Sequence, residues 1–250
     1  MPSRSAGPKA DGVRLKLFGN VELLTSSGEP ASNILAQTKL LALLVYLVVE
    51  EPRGYRRRDR LVGLFWPELD AEHARAALRK ALHALRHSLG DAVLDARGDE
   101  DVAVPPGALW CDVLAFDEAI EAGLVARAID LYHGDFLPGY FVRGATACDE
   151  WLDQTRTRYQ KQAATAAWVL AQRSEEDERL TIAADWAKRA VTLAPFDERV
   201  VRKALALLGR AGDRAGAAAL YESFRERLTR EFEVEPSRET AMLMEQIKAK

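Results

Sequence analysis

Nine basic side chains fall between residues 53 and 90 (Arg53, Arg56, Arg57, Arg58, Arg60, Arg75, Arg79, Lys80 and Arg86), against four acidic ones. Guanidinium and ammonium groups at this density can neutralise phosphate, and an arginine fork can also bind the O6 and N7 of a guanine. The island stands in a chain of 250 residues with a net charge of −3, and residues 91–111 carry five carboxylates against Arg97 alone. A basic island is often only a solvated face, so its meaning depends on the elements beneath it.

Other chemistry has less support. The phosphate loop GxxxxGK[ST], a GxGxxG after a strand, the GxSxG elbow and HExxH are all absent. Cys111 and Cys148 lack a positioned base and read as buried structural thiols, reduced in a cytoplasmic protein. His83 and His87, four apart, could clamp a metal from one helix face, but no third ligand is near. The expectation is a protein with no enzymatic activity, no cofactor and no metal.

The elements that must carry the basic island can be read from periodicity. Val13, Leu15 and Leu17 alternate with Arg14 and Lys16 before Gly19-Asn20, a hairpin signal. An apolar helix is expected over Gln37 to Glu50, stopped by Pro52 and Gly54. A short helix over 58–65 ends at Trp66-Pro67, because a residue before proline leaves the α region. The third helix starts at an Asp70 cap and stops at Gly90, with Leu78, Leu82, Leu85 and Leu89 forming one stripe. Burying that stripe leaves Ala76, Ala84, Lys80, His83 and His87 on the far side, with Arg75, Arg79 and Arg86 along one flank. A second hairpin is expected over 93–104 around a polar turn. Helix, turn, helix and hairpin in this order describe a winged helix-turn-helix.

From Cys111 the chain reads as helices rich in Ala, Leu and Arg. Ala183, Trp186, Ala190 and Pro195 recur loosely as Ala217, Tyr221, Phe224 and Pro236, a tetratricopeptide-like spacing. The longest apolar run, Leu40–Val49, is half the length that spans a bilayer, so no membrane association is expected. The opening MPSRSAGPKADG has no apolar core and reads as a mobile tail rather than a secretion signal. The length fits one large domain or two ordinary ones, and with hydrophobic residues at 48% and charged ones at 29% the composition excludes wholesale disorder. The expected layout is a tail over 1–12, an α+β winged helix-turn-helix domain over 13–108, and an all-α domain over 111–250.

The run Tyr55-Arg56-Arg57-Arg58-Asp59-Arg60-Leu61, then Leu64-Phe65-Trp66-Pro67, then the stretch from Ala74 to Gly90, resembles the antibiotic-regulatory-protein type of bacterial transcriptional activator. Asp112 to Phe116, the connector Tyr132-His133-Gly134-Asp135-Phe136-Leu137-Pro138-Gly139 and Glu150-Trp151-Leu152 fit the bacterial transcriptional activator domain of the same family. The resemblance implies a positioning helix over 58–65, a recognition helix over 72–89 and a wing over 93–104. Binding of double-stranded DNA at promoter direct repeats, contact with RNA polymerase holoenzyme, and an arrangement that allows a dimer on DNA are also implied. Larger relatives continue into an ATPase and a sensor array, so a chain ending at Lys250 reads as a minimal activator or as the N-terminal fragment of something longer.

Base reading falls to Arg79, Lys80 and His83, the side chains best placed on the helix wheel. DNA backbone contact falls to Arg56, Arg57, Arg58 and Arg60 at the positioning helix and to Arg86 and His87 a turn further on. Arg75, nearest the leucine stripe, is expected to pair with an acidic neighbour. Arg97 is the one wing candidate, among Asp95, Asp99, Glu100 and Asp101, whose charge opposes phosphate. The competing reading from the residues is a helical-repeat protein-interaction module whose winged helix touches no DNA.

Overall fold

Alternation along the first strand sends Val13, Leu15 and Leu17 inward, where all three are buried. This strand, β1 (Val13–Lys16), pairs antiparallel with β2 (Glu22–Leu24), Arg14 opposite Leu24. A computed structural model describes residues 12–249, so all but one residue of the expected tail over 1–12 lies outside the described residues. After β2 come the short α1 (Ser32–Leu35) and then α2 (Thr38–Val49), in which every residue from Leu40 to Val49 is buried. A helix apolar on every side must be covered on every side. Part of that cover comes from α1, α3 (Arg58–Phe65) and α4 (Ala71–Leu89).

A two-residue strand, β3 (Arg56–Arg57), leads into α3. Asp70 caps α4 by accepting the N–H groups of Glu72 and His73 at 3.1 and 3.0 Å, and Gly90 ends it at φ +97°. Beyond a short 3₁₀ turn, β4 (Asp95–Arg97) and β5 (Asp101–Ala103) form a hairpin, with β3 along its other edge in the order β3-β5-β4. The strand β6 (Leu109–Cys111) then returns to the first sheet and pairs parallel with β1.

The rest of the described chain is helical. It comprises α5 (Asp112–Glu121), α6 (Val125–Leu131), α7 (Thr146–Glu176), α8 (Leu180–Leu193), α9 (Glu198–Arg210), α10 (Arg214–Phe232) and α11 (Arg238–Ala249). The loose repeat is visible in the packing. Ala183 of α8, and Ala217 and Phe224 of α10, are fully buried in one core with Val201, Leu205 and Leu208 of α9, and Ala190 of α8 is fully buried too. The second copy is stretched because α10 has 19 residues against 14 in α8. No helix among the described residues is long and apolar enough to cross a membrane.

Packing does not follow the boundary expected between residues 108 and 111. One compact unit reaches to Glu118 and takes in Leu131–Arg156; the other holds Ala119–Asp130 and continues from Thr157. Three features of the first unit explain the difference. First, β6 completes a sheet begun at residue 13. Second, buried Asp112 accepts the N–H of Leu17 at 2.9 and 3.0 Å and that of Phe18 at 3.0 Å. Third, the connector after α6 docks on β1's continuation: Gly19 N–H donates to Asp135 O at 3.0 Å and Leu137 N–H to Leu17 O at 2.9 Å. The approach is so close that a Cβ at Gly134 would lie 3.0 Å from the Gly19 Cα, which explains a glycine there. The residues that make these bonds, mostly through their main chain, are separated by up to 120 positions (Leu17 to Leu137), beyond the reach of periodicity.

In the second unit Asp213 caps α10 through Gly216 N–H at 2.8 Å and pairs with Lys188 at 2.8 Å. The Lys188 ammonium holds its carboxyl below the ordinary range. A depressed folded pKa contributes stability above the unfolded value and loses it as pH falls toward the folded one. Asp213→Ala is therefore expected to cost about 1 kcal/mol at pH 7, the ordinary worth of such a cap. The gap from wild type should close in denaturant titrations as pH falls through the carboxylate range.

Candidate nucleic-acid interface

The leucine stripe fixes the rotation of α4. Leu78, Leu82, Leu85 and Leu89, with Ala74, are buried against the first unit's core. The opposite face carries Arg79, Lys80, His83 and His87, all exposed, with Ala76 beside them and Ala84 and Arg86 half-buried. Among the described residues no carboxylate pairs with Arg79, Lys80, His83 or His87. The His83 and His87 rings lie nearly parallel, 17° apart, with centroids separated by 6.3 Å. No group of three or more His, Cys, Asp or Glu able to hold an ion occurs among the described residues.

The arginines around the start of α3 divide into different roles. Arg56 is a correction to its expected place on the DNA backbone. Its side chain is buried and its Nη2 donates to the carbonyls of Glu50 at 2.7 Å and Pro52 at 2.6 Å. Strand alternation turns Arg56 inward and Arg57 outward, a consequence of β3, which lies just before the helix expected over 58–65. Arg57 is exposed and meets Glu100 at 3.1 Å. Arg58 is mostly covered, with Nη1 4.0 Å from Asp99. Arg60 is exposed and meets Glu50 at 3.1 Å, while its guanidinium lies 6.0 Å from the Tyr46 ring centre. Asp59 pairs with Arg75 of α4 at 3.2 Å, as expected for Arg75, and Glu68 pairs with Lys39.

Arg57, Arg58, Asp59, Arg75, Leu78, Arg79, Asp99 and Glu100 line a groove of about 420 Å³ between α3, α4 and the β4–β5 turn. Beside the turn of that hairpin the Arg97 guanidinium stacks 3.7 Å over the Tyr55 ring, and the Tyr55 hydroxyl donates to Asp95. That bond holds the Asp95 carboxyl below the ordinary range. Tyr55 was not foreseen as a functional residue. Its signal was an aromatic side chain directly before the arginine run, readable only once the hairpin folds back onto it. Glu50 is the second residue missed: its other carboxylate oxygen accepts the Trp151 Nε1–H at 2.7 Å, so it joins α2, α3 and α7.

Both thiols are buried. Burial pushes Cys111 far up and Cys148 up to about 12. Neither is a nucleophile near neutral pH, where a thiol with a pKa near 12 is about one part in ten thousand ionised at pH 8. The folded protein should therefore be silent toward a disulfide reagent at pH 8 and should titrate two thiols after denaturation.

This is a helix-rich protein with small sheets first and a helical domain after them, and its basic face is built on the helix after the second turn. The bacterial transcriptional activator domain matches residues 111–248, more than half of the chain. The chain belongs to that family. A similar solved structure is Mycobacterium tuberculosis EmbR in complex with a low-affinity phosphopeptide, with a TM-score of 0.63 and 19% identity. The match covers 95% of this chain and 65% of that one, so this chain spans about two thirds of its length. At that identity the likeness speaks for the fold. No curated protein matches the chain.

Proposed function

We propose that the first unit is a winged helix-turn-helix that binds double-stranded DNA, with α3 as positioning helix, residues 72–89 of α4 as recognition helix and the β4–β5 hairpin as wing. One observation carries this reading: α4 buries its leucine stripe and presents Arg79, Lys80 and His83, none of them paired with a carboxylate among the described residues, on the opposite face. A helix of this shape fits the major groove, and the small Ala76 beside these side chains allows close approach to the base edges. Backbone contact then rests on Arg57, Arg58, Arg60, Arg86 and His87, with Arg97 stacked on Tyr55 beside the wing's turn. Arg56 drops out, since its guanidinium is committed to two carbonyls.

Membership of the transcriptional activator family supports promoter direct repeats as the target, RNA polymerase as the partner of the bound protein, and two copies side by side on the DNA. The test is selection of binding sites by the full chain from a random-sequence duplex pool. Enrichment of one short motif is expected, with protection of major-groove purines inside it. Retention of the pool without enrichment would leave only sequence-independent binding, and no retention would overturn the reading.

A further inference from the structure

The groove lined by four arginines is not left open to polyanions. Three carboxylates, Asp59, Asp99 and Glu100, stand in it, leaving a net charge of only +1. Arg57 is paired with Glu100, Arg58 faces Asp99, and Arg75 is paired with Asp59. Of the four, Arg79 alone has no carboxylate partner among the described residues.

Two of these carboxylates come from the hairpin turn, and the backbone puts them there. Gly98, at φ +56°, turns the chain between β4 and β5. The Arg58 N–H donates to Glu100 O at 2.8 Å, and β3 pairs with β5 at Arg57 opposite Asp101. The turn is thus fastened to the start of α3 through main-chain bonds that need neither side chain. Asp99 and Glu100 are themselves largely solvated, so they are free to let go of their arginines. A carboxylate so placed offers a guanidinium the same planar oxygen pair that a phosphate offers.

We propose that Asp99 and Glu100 act as stand-ins for DNA phosphate, an acidic gate that lowers affinity for every duplex by occupying Arg57 and Arg58 in the free protein. This rests on the proposed DNA-binding reading. Engaging phosphate exchanges one anionic partner for another and releases a carboxylate that gathers cations, so the gate also flattens the salt dependence. The gate spares Arg79, which leaves base reading as the contact met without competition.

The test compares wild type with the double variant Asp99→Asn/Glu100→Gln on a random-sequence duplex over a range of potassium chloride concentrations. As a charge-matched control, Glu29→Gln/Glu118→Gln neutralises two exposed carboxylates that line no part of the groove. The gate variant is expected to bind about three- to tenfold tighter near 0.1 M salt, with a log–log slope steeper by about one to two units. The control should stay close to wild type. Wild-type binding with an unchanged or weaker gate variant would overturn the inference and leave the DNA-binding reading standing. An equal gain in the control would reduce the effect to net charge and also overturn it. Failure of wild type and variants alike to bind in a salt-dependent way would bring down the reading beneath it.

Discussion

Replacing Asp112 with alanine is expected to destabilise the first unit by about 2–5 kcal/mol, because it strands buried N–H groups at roughly 1–3 kcal/mol each. Asp112 is 4% exposed. One carboxylate serves Leu17 and Phe18 at the end of β1 and also accepts the Val113 N–H at 2.8 Å at the start of α5. Leu17 and Phe18 are also where the connector docks, so the loss spreads to the Phe18–Phe136 bridge. Against a typical domain stability of 5–15 kcal/mol, such a loss is large. Asp112→Asn keeps one acceptor oxygen and should recover part of it. Chemical denaturation followed by tryptophan fluorescence measures both variants. A cost under about 0.5 kcal/mol for alanine would show that water replaces the carboxylate.

The second large effect concerns sequence reading. Arg79→Ala should cost about 1–3 kcal/mol on a self-selected site, the worth of one good base contact, and relax the preference at one base position. Affinity for random duplex should barely change, since Arg79 lies on the helix face that the buried leucines turn outward and not at the start of α3. Lys80→Ala should behave similarly, whereas Arg57→Ala should weaken selected and random duplexes alike. Equal losses on both DNAs would move Arg79 to the phosphate contacts. No loss on either would mean that α4 is not the reader.

Much of this site was legible in the sequence because its signals are local. Asp70, the leucine spacing and Gly90 set the ends and the rotation of α4 within 21 residues, and rotation decides which cations are exposed. The Trp66-Pro67 stop and the 58–65 helix are likewise local. What escaped depends on pairing between distant segments. The two-residue β3 exists only because β5 comes alongside it, and its alternation is what turns Arg56 inward. The three-residue β6 carries no periodicity of its own, so the chain looked divided at Pro105-Pro106-Gly107 where the first sheet in fact continues. Arg57 and Arg58 are expected at the DNA backbone from their place beside the positioning helix, but their carboxylate neighbours lie about forty residues away across the hairpin turn and carry no local signal. Burial of Cys111 and Cys148 agrees with their reading as structural thiols.

The central claim is that this surface binds DNA through charge on α3 and α4, and it is tested most directly by titrating the wild-type chain onto random duplex between low and moderate salt. If Arg57, Arg58, Arg60 and Arg86 meet phosphate, the logarithm of the binding constant falls linearly with the logarithm of salt concentration, with a slope of about −2 to −4. An affinity indifferent to salt, or no binding at the lowest salt, would contradict it.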